Sequence, residues 1–453
     1  MNIVSLFTGA GGLDYGFEAA GFQTRVAIEI DSDCCKTIQQ NCNWPVINKD
    51  IHNVTTEEIL SIGNLQREEV DLLLGGPPCQ PFSKSGYWAN GSTKRLDDSR
   101  ADTLHAYMRC VDEILPKVFV IENVHGISYS GKEDGFLLLN SLTKEINNKC
   151  GTKYQLAWKV INVADYGVPQ LRKRFFLVGH RDGQVFRFPD PTHRAFLDNN
   201  GLIDESANYV QLIADYVDPN LPFHVTAWDA IGQLSVDPGE ELRVSGKWAD
   251  LLSSIPEGEN YLWHTNRKEG LPLFGWRTRF WNFLLKLAKN RPAWTIVAQP
   301  GPATGPFHWD NRLLSIKELT RLQTFPDDVV VVGSRRSAQM QVGNVVPSLI
   351  GEILARAIAE QFLGITYELP LKFSVNLQRP IPSPEEIKPV PQKYLHLVGN
   401  YADHPGTGKG PRANKEIVEL ASAPEDGLED KSRIGKRREV VQQRLLMERN
   451  TAG

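Results

Sequence analysis

The stretch Gly75-Gly76-Pro77-Pro78-Cys79-Gln80-Pro81-Phe82-Ser83 constrains this chain more than any other. It follows Val70-Asp71-Leu72-Leu73-Leu74, a short apolar run that reads as a strand buried in a sheet. Each proline biases the residue before it away from helix, so the backbone must leave the strand extended and turn stiffly. Cys79 is therefore expected on a rigid loop at the carboxyl end of a strand, where open α/β sheets hold their ligand crevice. A thiol held there is a candidate nucleophile. Buried, inert cysteines are common, but a polar, glycine-bounded loop with flanking prolines is a poor setting for one.

At 453 residues the chain can bury a large core and form two or three domains. Its composition, 41% hydrophobic and 23% charged, is that of an ordinary globular protein. The six cysteines include no Cys-x-x-Cys pair, so neither a disulfide framework nor a zinc site is expected, and a reducing interior fits best. No signal peptide and no membrane-crossing stretch are expected. A net charge of -4 does not advertise a nucleic-acid binder, yet one basic cleft on an acidic protein is enough to hold a phosphate backbone.

Asn2 to Phe7 reads as a first strand running into the turn Thr8-Gly9-Ala10-Gly11-Gly12 and a helix from Tyr15 to Ala20. Glycines there let the backbone approach a ligand and take positive φ. A second strand, Thr24 to Ile28, ends in Glu29, about 20 residues past the glycines and suited to ribose hydroxyls. A third carries Asp50 and Ile51 at its end, Asp50 being suited to an adenine amino group. These strand ends describe an adenosine-binding crevice without choosing between a dinucleotide and S-adenosylmethionine. Cys79 makes the choice. A dinucleotide dehydrogenase has no evident need of it, and a zinc deaminase would require a cysteine where Phe82 stands. Adenine and cytosine-N4 methyltransferases would place a stacking aromatic where Cys79 stands. Farther on, Val118 to Ile121 is a buried strand ending in Glu122-Asn123-Val124, with Glu122 within reach of the same crevice. Arg172 and Arg174 precede another buried strand, and a period of two would face them the same way, toward one phosphate or base edge.

The segments Ser5 to Gly12, Pro77 to Ser83, Glu122-Asn123-Val124 and Gln170-x-Arg172-x-Arg174 occur here in a fixed order. Arg321-Leu322-Gln323-Thr324-Phe325-Pro326 and Gln341-Val342-Gly343-Asn344-Val345-Val346-Pro347 follow. In this ordered set, about residues 1 to 365, the chain resembles the DNA cytosine-C5 methyltransferases of bacterial restriction-modification systems. The resemblance implies a class I S-adenosylmethionine-dependent methyltransferase: an α/β, Rossmann-like sheet with a second, smaller target-recognition domain. Residues 1–182 and 301–365 would form the catalytic domain, 183–300 the recognition domain, and 366–453 a linker or extended wrap with a C-terminal extension. Cys79 would add to cytosine C6, Glu122 would hold N3, Arg174 with Arg172 behind it would contact the O2 side, and Asn123 would fix Glu122 and the loop. Phe7, Gly9, Gly11, Glu29, Asp50, Ile51, Pro78 and Asn344 would bind S-adenosyl-L-methionine. Ser5 departs from the aspartate many members carry, which removes one polar contact.

The implied partner is double-stranded DNA, with the target cytosine flipped from the duplex. A separately acting restriction endonuclease, a monomeric state and a bacterial cytoplasmic location complete the expectation. A tRNA cytosine-C5 methyltransferase and a catalytically silent nucleic-acid-binding homologue are the rival readings. Residues 84–101 read as a mobile loop beside Cys79. The mixtures Trp263 to Lys268 and Trp276 to Phe280 offer basic and aromatic groups, with Arg277 and Arg279 as candidate DNA contacts. Lys431 to Arg449 reads as a short amphipathic helix in a solvated tail.

Overall fold

A computed structural model describes residues 1–78, 102–124, 134–195, 218, 220–275 and 281–401. Cys79, the loop 84–101, Arg277, Arg279 and the tail from 402 lie outside the described residues.

Among the described residues seven strands form one sheet: β1 Asn2–Leu6, β2 Gln23–Ile28, β3 Val46–Ile47, β4 Leu72–Gly75, β5 Val118–Val124, β6 Gln155–Asn162 and β7 Lys173–His180. Their spatial order is β3-β2-β1-β4-β5-β7-β6. The first five pair in parallel, and β7 runs antiparallel to both β5 and β6. The order reverses beside β1, so the carboxyl ends of β1 and β4 border the crevice such a sheet creates.

Alternation along the strands feeds two cores. Leu72, Leu74, Val118, Val120, Phe176 and Val178 face one side of the sheet, where α1 (Gly12–Ala19) packs. Leu73, Phe119, Ile121, Phe175 and Leu177 face the other, against α3 (Thr56–Gly63) and α4 (Asp102–Ile114), while α2 (Ser32–Asn41) adds Ile38 to the α1 side. With both faces covered, the central strands are apolar throughout, as parallel strands require. Helix α5 (Asp134–Cys150) precedes the β6–β7 hairpin.

The far end of the chain returns to the beginning. After α6 (Ala227–Ile231), α7 (Ile316–Leu322) and α8 (Arg335–Asn344) comes α9 (Ser348–Phe362), which crosses α1 at glycines. A Cβ on Gly16 would lie 2.3 Å from the Ser348 carbonyl oxygen, and one on Gly351 would lie 2.7 Å from that of Leu13. Contrary to the sequence expectation, Arg335–Phe362 is long and apolar enough to cross a bilayer. Its most apolar window is 89% buried, so this apolarity belongs to the core.

A further core gathers Trp248, Tyr261, Phe274 and Phe283. Tyr394 stacks on Trp248, with ring centroids 5.5 Å apart. Residues 366–401 carry no strand and only the 3-10 turn Gln392–Leu397. They are nevertheless held along their length: the buried Glu352 accepts the Lys372 and Phe373 N–H groups, Asp229 pairs with Arg379, and Lys289 pairs with Glu385.

Candidate active site

A cavity of about 450 Å³ opens at the carboxyl ends of β1, β2, β4 and β5, within the size range of small-molecule sites. The segment around Asn344 to Val346 closes another wall. Of the residues singled out from sequence, Phe7, Gly9, Glu29, Pro78, Glu122, Asn123, Arg174 and Asn344 line it. Gly11, Asp50, Ile51 and Arg172 do not.

The glycine turn is built by local backbone demands. Phe7 has φ 54°, a left-handed conformation unusual for a bulky residue, and Gly9 and Gly11 follow at 58° and 80°. The Thr8 hydroxyl donates to Ser5 Oγ at 3.0 Å, and the Thr8 N–H reaches the Ile28 carbonyl. Nothing lies within 4 Å of a Cβ built on Gly9, which leaves room for a ligand over that backbone. Gly11 serves the turn itself, since a Cβ there would meet Trp44 at 2.9 Å.

Glu29 ends β2 with both carboxylate oxygens engaged, accepting from Gly9 N at 2.7 Å and Asp31 N at 2.8 Å. Burial pushes its pKa up, against those two hydrogen bonds. Next to it Ile30 is 65% exposed at the cavity rim, an apolar surface suited to a flat ring. Asp31 caps the helix Ser32–Asn41. Asp50 and Ile51 stand one strand away. The third strand stops at Ile47; Asp50 caps a 3-10 turn and pairs with His52 at 2.7 Å, while Ile51 is buried.

Gly75 and Gly76 permit the close approach that ends β4. A Cβ on Gly75 would lie 2.7 Å from the Leu6 carbonyl oxygen, and one on Gly76 would lie 3.0 Å from Glu122 Oε2. The Asn123 amide donates to the Pro77 carbonyl at 3.2 Å, and the Thr103 hydroxyl to that of Pro78 at 3.3 Å. The backbone leading into Cys79 is therefore anchored at two successive carbonyls. Asn123 holds this loop, and its Oδ1 accepts the Val124 N–H rather than touching Glu122.

Glu122 is held by Arg174, whose Nε donates to Oε1 at 2.8 Å. The antiparallel register opposes Glu122 to Phe176 and Val124 to Arg174, so the pair is a diagonal cross-strand neighbour on one face. Burial raises the Glu122 pKa; Arg174 and then Arg172 oppose it. Burial lowers that of Arg174, with Glu122 opposing.

Arg172, read as facing the same phosphate or base edge as Arg174, is a buried tie that does not line the cavity. It is 1% exposed and donates to the Gly343 carbonyl at 2.8 Å. Alternation of faces holds only within a strand, and β7 begins after it at Lys173. Nearby Gln170 pairs with Gln323 at 3.0 Å, and Gln323 donates to the Val342 carbonyl. These residues dock the late helices onto the sheet.

Part of the mixture Trp263 to Lys268 is used by the fold. His264 and Thr265 are core, His264 Nε2 pairing with the Ser254 hydroxyl at 2.9 Å, and Lys268 pairs with Glu259. Burial pushes the His264 pKa down to about 4.

Sequence reasoning missed Asp14, Met340 and Gln341, which also line the cavity. The only sequence signal for Asp14 was an acid on the first turn after the glycines. Among the described residues no cluster of histidine, cysteine or acidic side chains could hold a metal ion.

Residues 1–360 match the family of C-5 cytosine-specific DNA methylases. The Type II methyltransferase M.SacI of Streptomyces achromogenes is 37% identical over 382 residues, covering 79% of this chain and 93% of that protein. M.NgoFVII of Neisseria gonorrhoeae, also a Type II methyltransferase, is 32% identical and covers 80% and 87%. The fold is similar to that of Spodoptera frugiperda DNMT2, with TM-score 0.51, 15% identity and coverage of 79% of this chain and 99% of that one.

Proposed function

The chain belongs to the C-5 cytosine-specific DNA methylases, whose methyl donor is S-adenosyl-L-methionine, and on that premise we propose that it methylates C5 of one cytosine in a specific short double-stranded DNA sequence. The target base is flipped out of the duplex, and Cys79 forms a transient bond to its C6. The observation that carries this is the buried Glu122–Arg174 pair, which lines one cavity with Glu29 and with Pro78, the residue before Cys79.

The cavity suits the donor. Glu29 stands where ribose hydroxyls can reach it, Ile30 offers an apolar rim for adenine, and the space over Gly9 is open. When bound, S-adenosylmethionine supplies an electrophilic methyl group. The protein must make C5 nucleophilic. The Cys79 thiolate adds to C6, the C5–C6 electron pair becomes available at C5, and charge develops toward N3 and O2. Glu122, its pKa raised by burial, holds a proton at N3 while the Arg174 guanidinium faces O2. C5 takes the methyl group, a base removes the C5 proton, and Cys79 leaves as that electron pair re-forms the double bond. Asn123 and Thr103 keep the entry to the Cys79 loop rigid, and Arg172 acts behind Arg174.

Residues 183–300 are the target-recognition domain in this reading, and 1–182 with 301–365 the catalytic domain. The Type II methyltransferase names of the relatives support a modification enzyme, and in this reading it works as a monomer in the bacterial cytoplasm beside a separately acting endonuclease. Bisulfite sequencing of plasmid DNA propagated with the wild-type chain and with Cys79→Ser tests this. Protection of one cytosine within one recurring short sequence, with wild type alone, is the expected result. Absence of protection with soluble, cofactor-binding protein would refute the DNA substrate and turn the assay to tRNA.

A further inference from the structure

The family match ends at residue 360, so residues 366–401 lie beyond it. They touch three separate cores in order. Phe373 is buried with the sheet, α1 and α9. Val375 packs on the core that joins Ala227, Leu287 and Ile296 to Leu319 of α7 and Val342 of α8. Val390, Tyr394 and Leu397 pack in the core of Trp248, Tyr261, Phe274 and Phe283. Of that last core's buried residues, all but Phe307 and Tyr394 fall within 183–300.

Buried charges fix the path. Glu352 on α9 is fully buried and accepts the Lys372 and Phe373 N–H groups at 2.8 and 3.1 Å. Asp229 on α6 is 2% exposed and accepts from the Gln378 N–H and the Arg379 guanidinium, both at 2.8 Å. Lys289 is equally enclosed; it donates to the Ser383 carbonyl at 3.1 Å and to Glu385 at 2.7 Å, with Glu257 as a further partner. A buried charge is costly unless paired, and each of these three takes partners from residues 366–401. Glu386 and Ile387 are then exposed. Beyond them the segment is held by the Trp248 core. Lys388 N–H donates to the Ser253 carbonyl at 3.0 Å, and the Tyr394 hydroxyl donates to that of Lys247 at 2.6 Å while its ring stacks on Trp248.

We infer that residues 366–401 are a brace that positions the recognition core for DNA, with Tyr394 as its terminal pin. The inference rests on the reading of residues 183–300 as the recognition domain and of DNA as the substrate. One segment tied to α9 at one end and to Trp248 at the other limits how far the two cores can shift apart. Base edges are read only from a correctly placed recognition core, whereas phosphate contacts carry no sequence information. A loosened core is competent for the target in only part of its population, and target affinity falls by that fraction.

The test lengthens the brace in the full chain while keeping the residues that make its contacts, by inserting about eight Gly and Ser residues between Glu386 and Ile387. A longer flexible loop weakens closure only slightly, so the melting temperature should stay within about two degrees of wild type. Affinity is measured for a duplex carrying the sequence that the wild type protects, for an unrelated duplex of equal length and for S-adenosylhomocysteine. Target affinity should fall about fivefold or more, with the other two within about twofold of wild type. Tyr394→Ala should reproduce that loss of discrimination, and Tyr394→Phe, which keeps a ring on Trp248, should retain wild-type discrimination. Undiminished discrimination in the lengthened chain overturns the inference. An equal fall for both duplexes and S-adenosylhomocysteine reports lost folded protein rather than a misplaced core, and overturns it too. Failure of the wild type to prefer any duplex overturns the reading of the recognition domain instead. The lengthened chain stands alone should Tyr394→Ala fail to fold.

Discussion

Glu122→Gln removes one charge and almost no volume from the centre of the site. In the wild type, Arg174 Nε lies 2.8 Å from Glu122 Oε1, and the two side chains are 14% and 12% exposed. A hydrogen bond to a charged group contributes about 1.5–3 kcal/mol, and stranding a buried charge costs about 3–5 kcal/mol. The glutamine oxygen still accepts from Nε, and the raised Glu122 pKa means that burial already penalises the carboxylate. Both facts reduce the loss, so a destabilisation of about 1–2 kcal/mol is expected, read as a lower denaturation midpoint. The effect on turnover should be larger. Losing the proton at N3 should reduce kcat about 10²- to 10⁴-fold, or about 2.7–5.4 kcal/mol of barrier.

The assay is methyl transfer from labelled S-adenosylmethionine to duplex DNA, with cofactor affinity measured separately. Cofactor affinity should stay within about threefold of wild type, because Glu29 and its donors are untouched. A folded Glu122→Gln enzyme whose kcat falls by less than about threefold would refute the assignment of N3 to this carboxyl. A parallel loss of cofactor affinity would mean that the substitution had disturbed the whole cavity.

Glu29→Gln should weaken S-adenosylhomocysteine about ten- to 150-fold in a direct binding titration, the equivalent of one or two charge-assisted hydrogen bonds; unchanged binding would remove Glu29 from the ribose. Gly16→Ala sets a Cβ 2.3 Å from the Ser348 carbonyl oxygen and should lower stability by about 3 kcal/mol, since backbone there cannot yield cheaply. A melting temperature within a degree or so of wild type would contradict the close helix crossing. Arg172→Met leaves the Gly343 carbonyl without its donor and should cost about 1–3 kcal/mol of stability with little change in DNA affinity. Loss of DNA affinity at full stability would reinstate Arg172 as a phosphate contact. Asp14 gives a pH signature in the ligand-free protein. Its folded pKa is raised, so its contribution is fully favourable below pH 3.8 and is lost as pH rises to about 7. The span is on the order of 4 kcal/mol, so Asp14→Asn should raise the melting temperature at about pH 8 and much less at about pH 4. Equal effects at both pH values would refute the raised pKa.

The features legible in the sequence are those that a few adjacent residues dictate. A strand of Leu72 to Leu74 followed by glycines and prolines admits few backbones, and Gly9 with Gly11 after a short strand admits few turns. The acids at the ends of β2 and β5 follow from those strands. Charged residues are where adjacency failed, because a charge takes its role from its partner. Arg172 looks like Arg174 in the sequence, yet its acceptor is Gly343, 171 residues away. Lys268 is one basic residue of a basic and aromatic mixture in the sequence, and in the structure it pairs with Glu259. Asp14 looks like an ordinary acid on a first helical turn, yet the fold leaves it 2% exposed. The same dependence explains why Arg335–Phe362 has the apolarity of a membrane helix while serving as a core. Hydrophobic pattern records that a segment is buried, not by what. Arg172 and Lys268 find their partners within the fold, in the Gly343 carbonyl and in Glu259, and neither partner is adjacent in the sequence.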